Sequence, residues 1–178
     1  MEEARLRMIK ANMACPQLQA TSNGAALSTG VMTSVSIPLL AGQKVTNISF
    51  VSATTAAGTP THWWFGLYSA AATPALIAQT ADQLTGAWAA NTVKTVALAA
   101  PVTISTSGTY WVSIMVAATT PPTLLSAPVF AAGLLNATGL LTTDKALAVT
   151  SGSALTGTAP ATIATPATSL TVPLAWVS

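Results

Sequence analysis

Residues 109–117 read TYWVSIMVA, and they alternate without a break. Tyr110, Val112, Ile114 and Val116 face one way; Trp111, Ser113 and Met115 face the other. A period of two held over this length is a strand signal. The β-branched and aromatic residues that fill it suit a pleated, half-buried surface. Residues 62–69, HWWFGLYS, repeat the pattern. Trp63, Phe65 and Leu67 share one face; His62, Trp64, Gly66 and Tyr68 share the other. Neighbours on a strand point to opposite faces. In each of the pairs Trp63–Trp64 and Tyr110–Trp111, one ring therefore belongs to a core and the other lies on the opposite face of the sheet.

Working outward, strand signals recur along the chain. Residues 31–37 alternate, residues 38–43 break the run, and residues 44–53 alternate again with Ile48 and Phe50 on one face. Residues 57–61 (AGTPT) read as a loop from their Gly and Pro content. Short strands are expected at 76–79, 93–99 and 101–104, with a long connection over 81–91 that carries Trp88. Residues 123–165 give only weak strand signals, near 146–149 and 162–165. The chain closes with LTVPLAWV (170–177), where Val172, Leu174 and Trp176 alternate and Pro173 marks an edge or a bulge. Short strands with turn signals every 8–12 residues predict an all-β fold. The expected architecture is a single β-sandwich, jelly-roll-like, with a short N-terminal helical or extended arm. No fixed-period repeat is visible, which argues against a propeller or solenoid.

Charge divides the chain into those two parts. Of ten charged residues, five lie in the first ten positions: Glu2, Glu3, Arg5, Arg7 and Lys10. The remainder carries Lys44, Asp82, Lys94, Asp144 and Lys145. Residues 1–18 are assigned to a charged arm that makes an attachment or a subunit contact, and residues 19–178 to the sandwich body. Leu6, Ile9 and Met13 fall at i, i+3 and i+7, the spacing of an amphipathic helix over 1–14 that Pro16 ends. A lone helix of this length is marginal in water and needs a surface to lie on. These three residues are the candidate anchors.

An ordinary soluble domain is about a quarter charged; this chain is 6% charged. Such a body lacks the usual defence against self-association, and its strand edges need cover. A homo-oligomer is expected, with a trimer as the guess. The three separated lysines of the body do not make a nucleic-acid face. No apolar run reaches the roughly 18 residues of a membrane span. The acidic start, with no apolar run after it, is not the pattern of a signal peptide. Cys15 follows Asn12, Met13 and Ala14 in a faint lipoprotein-like string, without the apolar segment that would precede a cleavage site. A single cysteine forms no internal disulfide.

Catalytic chemistry has few residues to work with. Asp82, Asp144 and His62 are the acids and the histidine of the body. A glycosidase would need both aspartates together, and a Ser-His-Asp triad would lack the Gly-x-Ser-x-Gly elbow. No His, Cys, Asp or Glu cluster suits a metal, and no Gly-rich phosphate loop is present. The expectation is a non-enzyme with no cofactor and no metal. Five residues remain as candidate subunit-interface or glycan-contact positions: His62, Trp64, Tyr68, Trp88 and Trp111. Trp and Tyr are enriched at interfaces and also serve as sugar platforms. A core role competes with both.

Three stretches, AAGTPTHWWFGLYS (56–69), AQTADQLTGAWAANTVKTVALA (78–99) and GTYWVSIMVAATTPPTL (108–124), together resemble small β-sandwich virion proteins of tailed actinobacteriophages. The resemblance spans roughly residues 45–125. It implies a structural component of the head or tail, assembled in the host cytoplasm, with no catalytic residues to carry over. A compact body with a short foot fits capsid decoration or a head fibre on the particle surface, docked on the major capsid protein or another virion protein. The alternative is a minor tail or tail-fibre module that binds host cell-surface carbohydrate.

Overall fold

The computed structural model describes residues 12–15, 17–127 and 147–178. They form an all-β sandwich. In chain order the strands are β1 (Asn12–Met13), β2 (Ser22–Ala26), β3 (Met32–Leu39), β4 (Lys44–Val51), β5 (Gly58–Tyr68), β6 (Leu76–Gln79) and β7 (Val93–Thr103). They continue with β8 (Gly108–Thr120), β9 (Thr123–Ala127), β10 (Ala148–Ser151), β11 (Ala167–Thr168), β12 (Val172–Pro173) and β13 (Ala175–Val177). One layer is a six-stranded antiparallel sheet in the order β11-β10-β3-β8-β5-β6. The other combines a sheet β1-β13-β4-β7 with a sheet β12-β9-β2. The bridge between Ser52 and Leu124 ties these two together. The connections β3–β4, β4–β5, β6–β7 and β7–β8 each cross between layers, the alternation that a jelly roll uses.

The two aromatic strands occupy the middle of the six-stranded layer. Strand β8 pairs with β3 on one side and β5 on the other. Its inward residues Val112, Ile114 and Val116 meet Phe65 and Trp63 of β5 and Val35 of β3 in the main core. Phe50 and Phe65 lie with ring centroids 4.9 Å apart, and Trp63 and Trp88 5.4 Å apart. Each fully buried side chain of this size contributes about 1.5–3 kcal/mol. The alternation of 62–69 and 109–117 thus assigns inner and outer faces correctly.

Prolines account for the misplaced boundaries. Strand β3 runs on through Pro38, which pairs with Thr109. Pairing with β10 already ends at Val35, so Pro38 has a partner strand on one side only and its missing N–H costs no ladder bond there. The expected loop 57–61 is strand: Gly58 and Pro60 sit opposite Thr120 and Ala118, and a bulge between Pro60 and His62 absorbs the irregularity. The two short strands expected at 93–99 and 101–104 are one strand, β7. Pro101 is tolerated because β7 is the edge of its sheet. Of the weak signals after residue 123, the first is β10; the second holds only the bridge between Ala75 and Thr162. Strands β2 and β9 had no sequence signal.

Part of the stretch expected as an arm belongs to a sheet. Asn12 and Met13 form a strand opposite Val177 and Trp176, which replaces the helix expected at Met13. Cys15 and Ala20 are each 7% exposed and lie in the core. The body therefore includes Asn12, Met13 and Cys15, which fall within residues 1–18, the stretch expected as an arm. Met13 is an element of a sheet, not a free anchor. Leu6 and Ile9 lie outside the described residues, as does Asp144.

Burial pushes the Cys15 thiol up, against a smaller opposing effect from a backbone hydrogen bond to Ala127. A buried, protonated thiol is a poor nucleophile. Iodoacetamide at pH 8 should alkylate it at least about 100-fold more slowly in the native protein than in urea, the factor set by a local opening of about 3 kcal/mol. Equal rates would show that residues 12–20 are not packed on the body.

Candidate functional site

The outer face of the six-stranded sheet carries three rows of side chains. Met32, Met115 and Trp64 lie across one row, Ser34, Ser113 and Gly66 across the next, and Ser36, Trp111 and Tyr68 across the third. The middle row is a trench of small residues, in which the hydroxyls of Ser34 and Ser113 bond at 2.6 Å. Residues 152–166 lie over this face. Ala159 and Ile163 complete a second buried cluster with Met32, Trp64, Tyr68 and Trp111. The strap is bonded to the rings it covers: Trp64 Nε1 donates to the Thr156 carbonyl at 2.7 Å, and the Tyr68 hydroxyl to the Pro160 carbonyl at 2.9 Å. Gln79 holds it from the side, donating to the Gly157 carbonyl and accepting from Ala159 N–H at 2.7 Å.

The expected contact aromatics are thereby consumed inside the chain. Trp64 and Tyr68 are 0% exposed, Trp88 1% and Trp111 5%. Trp64, Tyr68 and Trp88 offer no face to a sugar or to a second subunit, and Trp111 only lines a cleft of about 220 Å³ with Val149 and Ile163. Three were placed on the correct sheet face, but what covers it is this chain's own segment. Trp88 caps the opposite, inner side of β5 in the main core. Burial also raises the Tyr68 hydroxyl well above its ordinary range. The Trp111 N–H has no acceptor among the described residues.

His62 is the one candidate that stays near the surface. Its Nδ1 lies 2.6 Å from Asp82 Oδ2, with the two side chains 34% and 17% exposed. The other carboxylate oxygen of Asp82 accepts from Trp63 N–H and Leu84 N–H, each at 3.1 Å. Asp82 so fastens the start of the 80–92 connection to the strand beside it. A Cβ on Gly157 would stand 2.5 Å from Asp82 Oδ2, so glycine lets the strap close against the carboxylate. No hydroxyl or thiol of the described residues is bonded to His62. Among the described residues the pair has an orienting carboxylate but no hydroxyl or thiol bonded to the imidazole, so no triad is assembled there. Among the described residues no group of three His, Cys, Asp or Glu could hold a metal. None of their helices is long and apolar enough to cross a membrane.

The other layer carries an open groove of about 630 Å³. Its walls include Met13, Val51, Val93, Leu125, Leu174 and Trp176. Leu174 and Ala175 are both buried, 2% and 0% exposed, so the alternation expected over 170–177 breaks between them. The chain steps there from β12, paired with β9, to β13, paired with β4. That step turns Trp176 outward. Pro173 was the signal for it, but the sequence does not say which ring it would release.

Family models give no match to this chain, and no curated protein matches it in sequence.

Proposed function

We propose that this chain is a non-enzymatic structural protein of a bacteriophage particle, displayed on the particle surface as an oligomer and attached through residues 1–11. The observation that carries the reading is where the apolar surface goes. Among the described residues the body spends its buried aromatics on its own two cores and carries an open, largely apolar groove beside β1, and the chain has almost no charge to keep copies apart. Capsid decoration or a head fibre fits a compact body on a short foot, and the resemblance over residues 45–125 points the same way. The carbohydrate-binding reading loses support, because four of its five contact residues are internal or nearly so.

Sedimentation with particles of the parent phage that lack this protein tests the proposal. The full chain should bind saturably, at a stoichiometry set by the lattice symmetry. A variant lacking residues 1–11 should stay folded and remain in the supernatant. The deletion stops at residue 11 because Asn12 and Met13 belong to a sheet. Failure of the full chain to bind heads or tails would sink the proposal.

A further inference from the structure

We infer that the mouth of the sandwich between β3, β9 and β10 is a binding site for one neutral sugar unit, read by the hydroxyls of Thr33, Thr150 and Ser126. The site shares no residue with the aromatic positions expected from the sequence, and it is independent of the particle reading.

A cavity of about 200 Å³ opens there between the two layers. Its wall carries six hydroxyl side chains, those of Ser28, Thr33, Ser126, Thr150, Ser169 and Thr171, and no charged or aromatic residue. The layers supply them from opposite sides. Thr33 and Thr150 face each other across the β3–β10 pairing, and Ser126 stands on β9 between β2 and β12. Alternation puts Thr33 on the same face as Val35 and Ile37, which lie in the main core. The inner face of β3 thus turns from aliphatic to hydroxyl where the cavity begins.

The threonine hydroxyls do not fasten the fold. Thr33 is 6% exposed, and no hydrogen bond holds its hydroxyl or that of Thr150 among the described residues. A buried polar group without a partner costs stability. The buried side-chain atoms that are both unbonded and sealed from solvent are Trp111 Nε1 and Ser151 Oγ. Thr33 Oγ1 is unbonded but not sealed, so it opens on the cavity that Thr33 lines. Ser126 is 0% exposed, and its Oγ keeps only a 3.5 Å contact to the Ser22 carbonyl. A valine at position 33 would continue the core pattern of β3, and a local departure from such a pattern without a structural gain marks a functional position.

The wall selects the ligand. Each hydroxyl both donates and accepts, as each hydroxyl of a sugar does. No charge is present to hold an ion and no ring to stack on a base. The frame is preformed: Ser169 N–H donates to the Ala148 carbonyl at 2.9 Å, and Thr171 N–H to Ser169 Oγ at 3.3 Å. Little ordering is then left to the binding step. Residues 128–135, which follow β9 directly, read PVFAAGLL, and residues 1–11 read MEEARLRMIKA; neither stretch brings a hydroxyl. Residues 136–146 do carry threonines, and titration decides against them, because a cavity filled by its own chain would take no probe.

Methyl pyranosides are the probes. The methyl glycosides of glucose, galactose, mannose and N-acetylglucosamine are added singly to the full chain, and binding is read by saturation-transfer NMR. At least one should bind saturably with a dissociation constant of about 1–10 mM, the range that a ligand of this size reaches at ordinary efficiency per atom. Thr33→Val and Thr150→Val should each weaken it by about 10-fold or more, while the melting temperature holds or rises. A melting temperature that falls with the affinity in both variants would make the hydroxyls structural and overturn their role as readers. No saturable binding of any probe would overturn the site, as would binding unchanged in both variants. The same sugars coupled to a surface separate two sources: retention of the protein assigns the terminal unit of a glycan, and binding of the free glycosides alone assigns a free sugar. Particle sedimentation with Thr33→Val is a separate readout, so loss of sugar binding with undiminished particle binding upholds the site and leaves the particle reading intact.

Discussion

Trp64→Ala should destabilise the protein by about 3–5 kcal/mol, the range for removing a buried aromatic. At roughly 2–4 °C per kcal/mol for a domain of this size, the melting temperature should fall by roughly 6–20 °C. Trp64 is fully buried, so its removal leaves a cavity between Met32, Met115 and the strap. The Thr156 carbonyl also loses its donor. The damage should be local before it is global: limited proteolysis should cut the variant within residues 152–166 while the central strands β3, β8 and β5 stay protected. Trp64→Phe keeps a ring in the site but loses the N–H and part of the indole's volume, and it should cost less than Trp64→Ala, about 1–3 kcal/mol. An exposed sugar platform would behave otherwise, because surface substitutions of that kind usually change stability by less than about 0.5 kcal/mol. Calorimetry on the two variants decides between a covered face and an open one. An unchanged melting temperature in Trp64→Ala would contradict the packing described here.

The contrast shows which parts of the fold were legible. Strands buried on both faces announce themselves, because every position from Tyr110 to Val116 is constrained by a neighbour on one side or the other. Alternation then gives the face of each residue, as it did for Trp63 against Trp64. It cannot say what lies above that face. The cover comes from residues 152–166, which belong to no long strand and hold only Leu155, Ala159 and Ile163 as apolar contacts. Much of their attachment runs through backbone carbonyls that accept from an indole, a phenol and an amide. Carbonyls are present at every residue, so no sequence pattern marks them. Strand β2, with the sequence SNGAA, was hidden for a related reason. A Cβ on Gly24 would stand 2.7 Å from Ser126 Oγ, so close pairing with β9 requires a residue that reads locally as a turn. Prolines misled in the opposite sense: Pro38, Pro60 and Pro101 all lie within strands, at places where a partner strand is missing or a bulge intervenes.

The His62–Asp82 pair is where composition and geometry must be weighed together. Asp82→Ala should cost about 2–3 kcal/mol, since hydrogen bonds to a charged group are the stronger ones and their loss leaves donors unpaired. Two of those donors are backbone N–H groups, of Trp63 and Leu84. Leu84 has a φ of +47°, a left-handed conformation costing about 1–2 kcal/mol for an L-residue, and Asp82 fastens it. Without the carboxylate the connection should relax, and the Trp63 indole should lose its acceptor at the Gly86 carbonyl, 2.8 Å away. His62→Ala removes a single partner from a half-exposed site and should cost about 1 kcal/mol or less. The order Asp82→Ala above His62→Ala is what a structural fastening requires. An acid–base pair would show the reverse in function: His62→Ala would abolish the biological role while leaving the fold almost unchanged. Particle sedimentation with His62→Ala, beside its thermal melt, separates the two. Undiminished binding with a small stability loss supports a carboxylate that fastens a loop; lost binding in a fully folded variant would return His62 to the list of functional groups.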